Sequence, residues 1–347
     1  MTNPALNKIV ADRLIKDLYG IKAGDVVAIG TNEKYEPAII QAMFDACADV
    51  DAKPLVLQYR EARQFGAAGM ADWPTAALEA ALKHVDVWLD FGENPLLYSP
   101  VWENVLKENT KIRYNVFGPS TSESLERVFC HFDVSLMEKI LKRLAELATQ
   151  TSRVRVTNAR GTDVSFDTDP NNLIDFDSGD YSAKKFGTAP GYLNLVPKSG
   201  SMSGRIVFDA IMHAQLTQNS QCEFIMRDGS IVEFVGTEAQ PVKAHVDAFN
   251  EENMYKISHM MVGLSPNIHE ISNEIVEDER IWGGVDFGFG HTSPMDMPPD
   301  GQPASSHFDS VVAKVSIWFD DVQIFDEGEV VWDAIKADAA VLRSVSS

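Results

Sequence analysis

The tripeptide His307-Phe308-Asp309 is the feature of the sequence whose residue types and spacing could do chemistry. It opens an apolar segment that runs to Trp318 and is typical of a buried β-strand. Residues two apart on a strand project from the same face, so the imidazole and the carboxylate would converge. One further histidine would complete the two-histidine, one-carboxylate set that suits Fe(II) and leaves coordination positions open. An H-x-D pattern alone is also common as a pair of surface residues.

The same tripeptide occurs a second time, as His131-Phe132-Asp133. Here it precedes Ser135 and Glu138, which have the spacing of a capping box at the start of an amphipathic helix. In a capping box the two side chains bond the backbone N–H groups that a helix start leaves free. We therefore predict that His131 and Asp133 belong to a helix start and bind no metal.

A third ligand would have to come from one of the other histidines. His259 lies in an apolar, strand-like segment from Ile257 to Gly263, where a lone histidine is more often a core residue. His269 has no second histidine four residues later and so does not form an H-E-x-x-H zinc motif. His245 lies in a segment that reads as a surface helix. The remaining candidates are His84, His213 and His291.

Composition and motifs exclude several classes of protein. Acidic residues outnumber basic ones by 51 to 30, and the net charge of −21 leaves no basic face for nucleic acid or an anionic membrane. The segment from Val27 to Asn32 has one glycine, whereas a dinucleotide site needs G-x-G-x-x-G. Neither a P-loop nor a G-x-S-x-G elbow occurs. The three cysteines are too scattered for a disulfide framework, and the N-terminus does not resemble a signal peptide, so we expect a cytoplasmic protein.

The elements that must position these residues fall into two regions. In residues 1–150, short apolar segments alternate with amphipathic ones, which predicts an α/β domain with a small parallel sheet. In residues 151–347, apolar and polar residues alternate, and Asp228-Gly229 is a hairpin signal. We predict that this half is an α+β, mostly antiparallel domain that binds the metal and carries out catalysis. Between two of its strands, residues His291 to Ser306 form a proline-rich and glycine-rich loop, a candidate for the border of an active site.

From about Arg153 to Phe325 the sequence resembles the thermophilic aminopeptidase (aminopeptidase T) family of metallopeptidases. Five segments carry the resemblance: Val156–Asp163, Gly204–Asp209, Ile257–Gly263, Gly283–Gly290 and Ser306–Asp309. Those peptidases hold two zinc-type ions on glutamates, histidines and the H-x-D aspartate. In this chain Tyr192 and His259 stand at two of the glutamate positions, and Asp286 stands at a histidine position. The departures imply that the two-ion site is not preserved.

The residues that remain resemble a second branch of the same superfamily, the 2,5-dihydroxypyridine 5,6-dioxygenases. That branch has an I-S-H-x-x-x-G-L segment, matched here from Ile257 to Leu264, and an H-x-D at the start of a late strand. The resemblance implies one ferrous ion, Fe(2+), bound by His259, His307 and Asp309. It further implies a homo-oligomeric dioxygenase that uses O₂ to open a hydroxylated (N-hetero)aromatic ring such as a dihydroxypyridine.

The same resemblance suggests residues of the substrate pocket. Tyr98, Tyr192 and His291 are candidates for hydrogen bonds or proton transfer to the substrate, and Asp286 for orienting a metal-bound imidazole. Lys184 and Lys185 form a basic pair that could bind an anionic group. Tyr98 and Gly187 stand where the branch has histidines, so the identity of the ring stays open. Two alternatives also remain: a metallo-aminopeptidase with altered ligands, and a non-catalytic small-molecule binding protein on the same fold.

Overall fold

The computed structural model describes residues 3–64, 66–92, 94–118, 121–183 and 186–345. Its helices are α1 (Pro4–Asp12), α2 (Pro37–Asp49), α3 (Thr75–Leu82), α4 (Pro100–Glu108), α5 (Ser122–Phe129), α6 (Val134–Ala148), α7 (Ala239–Phe249), α8 (Ile275–Asp278) and α9 (Asp333–Val345). The first ten strands are β1 (Val26–Asn32), β2 (Lys53–Tyr59), β3 (Val87–Asp90), β4 (Arg113–Val116), β5 (Arg153–Thr157), β6 (Asp163–Asp167), β7 (Ile174–Asp177), β8 (Phe186–Gly187), β9 (Tyr192–Leu195) and β10 (Ser203–Val207). The others are β11 (Ala210–Ile211), β12 (Glu223–Arg227), β13 (Ser230–Val235), β14 (Ile257–Gly263), β15 (Val285–Thr292), β16 (Gln302–Val312), β17 (Ser316–Phe319), β18 (Val322–Asp326) and β19 (Glu329–Val330).

Contacts within the chain define two compact units. The first comprises Met1–His131 and Gly179–Pro190, and the second comprises Phe132–Ser178 and Gly191–Ser347. This division differs from the one predicted at residue 150 because α6 buries its apolar face in the core of the second unit. The segment from Gly179 returns to the first unit because β8 pairs with β4 there. A strand of two residues leaves no pattern in the sequence from which this return could be predicted.

The first unit contains the predicted parallel sheet. Its five strands are all parallel, in the order β2-β1-β3-β4-β8. The apolar segments from which strands are predicted, residues 25–31, 54–58, 85–91 and 112–117, match β1 to β4 to within two residues. Every residue of β3 is buried, as expected for a strand that helices cover on both faces.

A buried carboxylate lies at the end of β3 in this sheet. Asp90 accepts hydrogen bonds from the hydroxyl groups of Tyr59 (2.9 Å) and Tyr114 (3.0 Å) and from the backbone N–H of Leu96 (2.8 Å). Burial raises the pKa of Asp90 to about 6, against the opposing effect of these donors. Gly30 lies beside it, and a Cβ atom at that position would approach the Asp90 Oδ1 atom to 3.2 Å. Asp90 therefore has a complete set of structural partners.

The second unit contains two antiparallel sheets, as predicted for this half of the chain. One has eight strands in the order β13-β12-β10-β6-β5-β17-β18-β19, and the other has six in the order β11-β16-β15-β14-β9-β7. The predicted hairpin joins β12 to β13, with positive φ angles at Asp228 (49°) and Gly229 (77°). Side chains of both sheets share one core with α6 and α9. None of the helices in the described ranges is long and apolar enough to span a membrane.

The first of the two H-F-D tripeptides lies at a helix start, as predicted. Asp133 is the N-cap of α6, and its Oδ1 atom accepts from the N–H of Leu136 at 3.0 Å. The cap is thus Asp133 and not the predicted Ser135, two residues further on. His131 is exposed, has a φ of 59°, and its Nε2 atom lies 2.8 Å from the carboxylate of Glu126.

Candidate metal centre

The second H-F-D tripeptide lies in the middle of the six-stranded sheet. His307 and Asp309 are on β16, where they pair with Gly290 and Gly288 of β15. Gly288 in turn pairs with His259 of the next strand, β14. Directly paired residues project from the same face, so one face of the sheet brings these side chains together. The intervening residue Phe308 packs on the opposite face, in the core.

A β-bulge gives His259 its direction. Ile257 pairs with Phe289, but His259 pairs with Gly288, so Ser258 is an extra residue in β14. In a regular ladder His259 would pair with Phe287, whose side chain faces the core. The bulge therefore turns the imidazole toward the face that carries His307 and Asp309.

Gly288 provides the space that the His259 ring occupies. A Cβ atom at position 288 would lie 2.3 Å from Cε1 and 2.7 Å from Nε2 of His259. A contact this short cannot persist, so any side chain at position 288 would require the His259 ring to move. The absence of a side chain between the imidazole and the Asp309 carboxylate forms a cradle at the centre of the sheet face.

The distances among the three side chains suit a shared ion. The Asp309 Oδ1 atom lies 2.8 Å from the His307 Nε2 atom and 3.6 Å from the His259 Nε2 atom. One ligand atom from each of the three residues lies within 4.8 Å of the others. The His307 Nδ1–H group donates to the carbonyl oxygen of His291 at 2.9 Å, which leaves Nε2 facing the carboxylate. A backbone carbonyl in this position is a common support for a metal-binding histidine.

At two of the three residues, His259 and Asp309, the electrostatics of the centre favour the protonation states that metal binding needs. Burial, together with the nearby His307, lowers the pKa of His259 to about 3, so its imidazole is neutral at neutral pH. Burial acts to raise the pKa of Asp309, but His307 outweighs it and the pKa is lowered, so this carboxylate is ionised. Burial acts to lower the pKa of His307, but Asp309 outweighs it and the pKa is raised. The Asp309 side chain keeps 17% of its surface exposed, which gives the centre an opening.

Two further acids border the centre. The Asp286 Oδ2 atom lies 3.0 Å from the His259 Nε2 atom, and its Oδ1 atom accepts from the backbone N–H of Ser310 at 3.0 Å. Glu279 offers an oxygen within 4.8 Å of oxygens of Asp286 and Asp309, and it forms an ion pair with the buried Arg280. Burial raises the pKa of Glu279 to about 7 and, with Asp309 and Glu279 nearby, raises the pKa of Asp286 well above its usual range.

Glu279 and Arg280 were not identified from the sequence. They follow the short helix α8 in a stretch rich in charged residues, Glu277-Asp278-Glu279-Arg280, which is typical of an exposed turn. In the structure all four side chains are buried. In the sequence, the apolar segment that follows these residues is the feature that could indicate their burial.

Two of the predicted pocket residues, Tyr192 and His291, lie on strands of the same six-stranded sheet as the three candidate ligands. Tyr192 is buried on β9, opposite Gly263 of β14, and the Arg280 guanidinium lies 5.2 Å from the centre of its ring. His291 lies near the end of β15, and its Nδ1 atom accepts from the N–H of Ala304 at 3.4 Å. Burial and the nearby His307 lower the pKa of His291 to about 4.

Tyr98 belongs to the other compact unit. It precedes α4, has a φ of 60°, and its ring packs edge-on against Trp102 with 5.8 Å between ring centres. Lys184 and Lys185 lie outside the described residues. The other histidine candidates are not among the three described residues whose ligand atoms converge. His84 and His269 are exposed, and His213, which lies close enough to Asp309 to interact with it electrostatically, stacks on His245 with ring centres 3.6 Å apart.

The loop predicted from His291 to Ser306 is shorter in the structure. β15 continues to Thr292 and β16 begins at Gln302, because the Gln302 side chain bonds the carbonyl oxygens of Gly290 (2.6 Å) and Ile257 (3.3 Å). Within the shortened loop, burial and the nearby Asp175 raise the pKa of Asp296 to about 6, while His307 acts to lower it. The loop thus comes close enough to His307 to interact with it electrostatically.

Comparisons with known proteins agree with this fold. The NicX family model, described as 2,5-dihydroxypyridine 5,6-dioxygenase, matches residues 13–332. The structure of 2,5-dihydroxypyridine dioxygenase from Pseudomonas putida KT2440 superposes with a TM-score of 0.78 at 19% identity, covering 95% of this chain and 98% of that one. Wild-type AmpT from Thermus thermophilus superposes with a TM-score of 0.70 at 11% identity, covering 94% and 99%. No curated protein sequence matches the chain.

The two superpositions define the class of fold: the two-unit α/β architecture that an aminopeptidase T and a dihydroxypyridine dioxygenase share. The family match then makes the assignment within that class. The chain belongs to the 2,5-dihydroxypyridine 5,6-dioxygenase family, and it is a ring-cleaving dioxygenase. This confirms the resemblance that the sequence showed and the expectation of an oxidoreductase over a peptidase.

Proposed function

We propose that the chain is a mononuclear non-haem Fe(II) enzyme that opens a hydroxylated N-heteroaromatic ring, such as a dihydroxypyridine, with O₂. His259, His307 and Asp309 would hold the ion. The observation that carries the proposal is the convergence of these three side chains on one face of a sheet, with their ligand atoms within 4.8 Å of one another. The match to the dioxygenase family supports the reaction class.

The residues present fit a ferrous ion. Two imidazoles and one carboxylate on one side of an ion are the donor set that non-haem Fe(II) oxygenases use. His259 is held neutral by burial, so the ion need not displace a charge-carrying proton from its ring, and Nε2 is the nitrogen that faces Asp309. The missing side chain at Gly288 lets the His259 ring lie beside the Asp309 carboxylate.

The chain's own residues would orient the reactants. When bound, the ion would supply the redox link between the ring and O₂. The carbonyl of His291 fixes the His307 ring, and the sheet fixes Asp309, so little reorganisation is needed when substrate arrives. The His291 imidazole, uncharged at neutral pH and accepting from Ala304 at Nδ1, would carry its proton on Nε2 and is a candidate to donate a hydrogen bond to a substrate oxygen. Tyr192 and Tyr98 remain candidates for hydrogen bonds to the ring.

Oxygen uptake on a panel of rings tests the proposal. Protein reconstituted anaerobically with Fe(II) is mixed with dihydroxypyridines and catechols, and oxygen consumption is followed beside the ultraviolet absorbance of the ring. We expect both to fall together for at least one hydroxylated pyridine. Hydrolysis of aminoacyl amides with zinc or cobalt, without oxygen uptake on any ring, would contradict the proposal and favour a peptidase.

The cellular setting and assembly belong to the same proposal. We expect a cytoplasmic homo-oligomer. The three cysteines are buried and form no disulfide with one another, and burial raises the pKa of the Cys47 thiol to about 12, as suits a protein kept in reducing surroundings. Light scattering of the purified protein measures the assembly, and a monomer at micromolar concentration would contradict it.

A further inference from the structure

We propose that Asp286 is a fourth protein ligand of the ion, so that the centre is a two-histidine, two-carboxylate site with two open positions instead of three. The inference rests on the proposed function, because it concerns the ion that His259, His307 and Asp309 would hold. It concerns the number of ligands and the kind of ring that fits beside them.

The first argument is the direction of the His259 Nε2 atom. It lies 3.0 Å from the Asp286 Oδ2 atom and 3.6 Å from the Asp309 Oδ1 atom, so it points between two carboxylates. Once this nitrogen binds an ion it has no proton to donate to either of them. An oxygen that remains 3.0 Å away is then stabilised only if it binds the same ion.

The second argument is the distance itself. Two ligand atoms at right angles about an ion, each about 2.1 Å from it, lie about 3.0 Å apart. The Asp286–His259 separation of 3.0 Å and the Asp309–His307 separation of 2.8 Å both have this value. Asp286 therefore already holds the position of a neighbouring ligand.

The third argument is the way Asp286 is fixed. It lies on β15, two residues before Gly288 and on the same face, and its side chain is fully buried. Its Oδ1 atom is taken by the backbone N–H of Ser310, which turns Oδ2 toward the cradle. A carboxylate held by its strand and by a backbone donor presents one oxygen in a constant place.

The balance of charge favours one ion over two. Glu279 also approaches Asp286 and Asp309, so three carboxylates could suggest a second cation. Glu279, however, forms an ion pair with Arg280, whose guanidinium is 1% exposed and would repel a second dication. Asp286 and Asp309 then balance the two charges of a ferrous ion, and Glu279 balances Arg280.

The fourth ligand has a consequence for the substrate. With two open positions, a ring can bind through one oxygen while O₂ takes the other. A ring with adjacent hydroxyls, such as a catechol, needs both positions to chelate and leaves none for O₂. The centre therefore selects rings whose hydroxyls are not adjacent.

A crystal structure of the anaerobic Fe(II)-loaded enzyme tests the ligand directly. We expect an Asp286 oxygen within about 2.0–2.4 Å of the ion, together with the other three ligands. An ion bound by His259, His307 and Asp309, with Asp286 beyond about 3 Å, would overturn this inference and leave the proposed function intact. An ion bound elsewhere, or none, would overturn both.

A binding experiment in solution tests the open positions. Azide is titrated into the catechol complexes of Co(II)-loaded wild type, Asp286→Ala and Asp286→Asn, and the visible Co(II) spectrum is recorded. Catechol fills both open positions of a four-ligand centre, so azide should bind the catechol complex of Asp286→Ala, where a third position is open, at least about tenfold more tightly than that of wild type. If Asp286 merely positioned His259, its removal would leave azide binding to the catechol complex weaker or unchanged, and that result overturns the inference. Asp286→Asn keeps the shape of the side chain and supplies the same comparison if Asp286→Ala does not hold Co(II).

Discussion

His131-Phe132-Asp133 and His307-Phe308-Asp309 are the same three residues in different surroundings. In the first, the φ of 59° at His131 breaks the extended backbone, so the histidine and the aspartate do not share a face. Each has its own partner: Glu126 for the imidazole, and the N–H of Leu136 for the carboxylate. In the second, an unbroken strand aims both side chains at each other.

The difference lies in what stands opposite each tripeptide. Gly290 pairs with His307 and Gly288 pairs with Asp309. The bulge in β14 brings His259 opposite Gly288. The first tripeptide has solvent and a helix start around it. A short motif thus supplies suitable donor atoms, but the neighbouring strands decide whether those atoms converge.

The largest expected effect separates the two tripeptides by alanine substitution. His307→Ala and Asp309→Ala should each reduce iron affinity at least a hundredfold and reduce turnover to background, because each removes a proposed ligand. His131→Ala is the matched control and should keep one iron per chain and full turnover. Iron is measured after anaerobic reconstitution and desalting. Loss of iron in His131→Ala, with retention in His307→Ala, would exchange the roles of the two sites.

The next effect concerns the glycine cradle. Gly288→Ala places a methyl group 2.3 Å from the His259 ring and should weaken iron binding about 10–100-fold by displacing that imidazole. Gly30→Ala is the control in the parallel sheet, where the methyl group would meet Asp90 Oδ1 at 3.2 Å. It should cost about 1–3 kcal/mol of unfolding free energy and leave iron affinity unchanged. Equal iron affinity in Gly288→Ala and Gly30→Ala would mean that metal binding does not depend on the missing side chain at position 288.

A smaller effect distinguishes burial from function at Asp90. Its pKa in the folded state is about 6, above the usual value of 3.8, so the unfolded state ionises first as the pH rises. The free energy of unfolding should therefore fall between about pH 4 and pH 6, by about 3 kcal/mol for two pKa units. Asp90→Asn should lack this loss, and its stability relative to wild type should rise over that range. Urea unfolding at several pH values measures it, and a constant difference between the two proteins would contradict the pKa.

The smallest effect is expected at the other aspartate. Asp133→Ala removes the N-cap of α6 and should lower the unfolding free energy by about 1 kcal/mol, which thermal unfolding detects as a shift of a few degrees. Iron content should not change. A fall in iron content larger than the loss of folded protein would show that this region communicates with the metal centre.

Much of the fold was predictable because it depends on local pattern. Continuous apolar segments predicted the parallel sheet, and alternation predicted the antiparallel half. The boundary of the units was not predictable, since α6 could have packed its apolar face on either side. At the proposed centre, H-x-D spacing indicated one pair of candidate ligands, and the resemblance supplied His259 as the third; the structure brings the three side chains together. The bulge at Ser258, the cradle at Gly288 and the buried Glu279 depend on cross-strand pairing, which no local pattern records.

The position of Gly288 between His259 and Asp309 also couples metal binding to correct folding. The three residues come from three adjacent strands and meet only in one hydrogen-bonding register. A slip of one residue in β15 would point Phe287 or Phe289 into the cradle and turn Asp286 away from it. A chain with misaligned strands could not hold the ion, so the ion would stabilise the aligned chain selectively. Metal added during refolding should therefore favour chains with correctly aligned strands and raise the yield of native protein, although the ion contacts only a few residues.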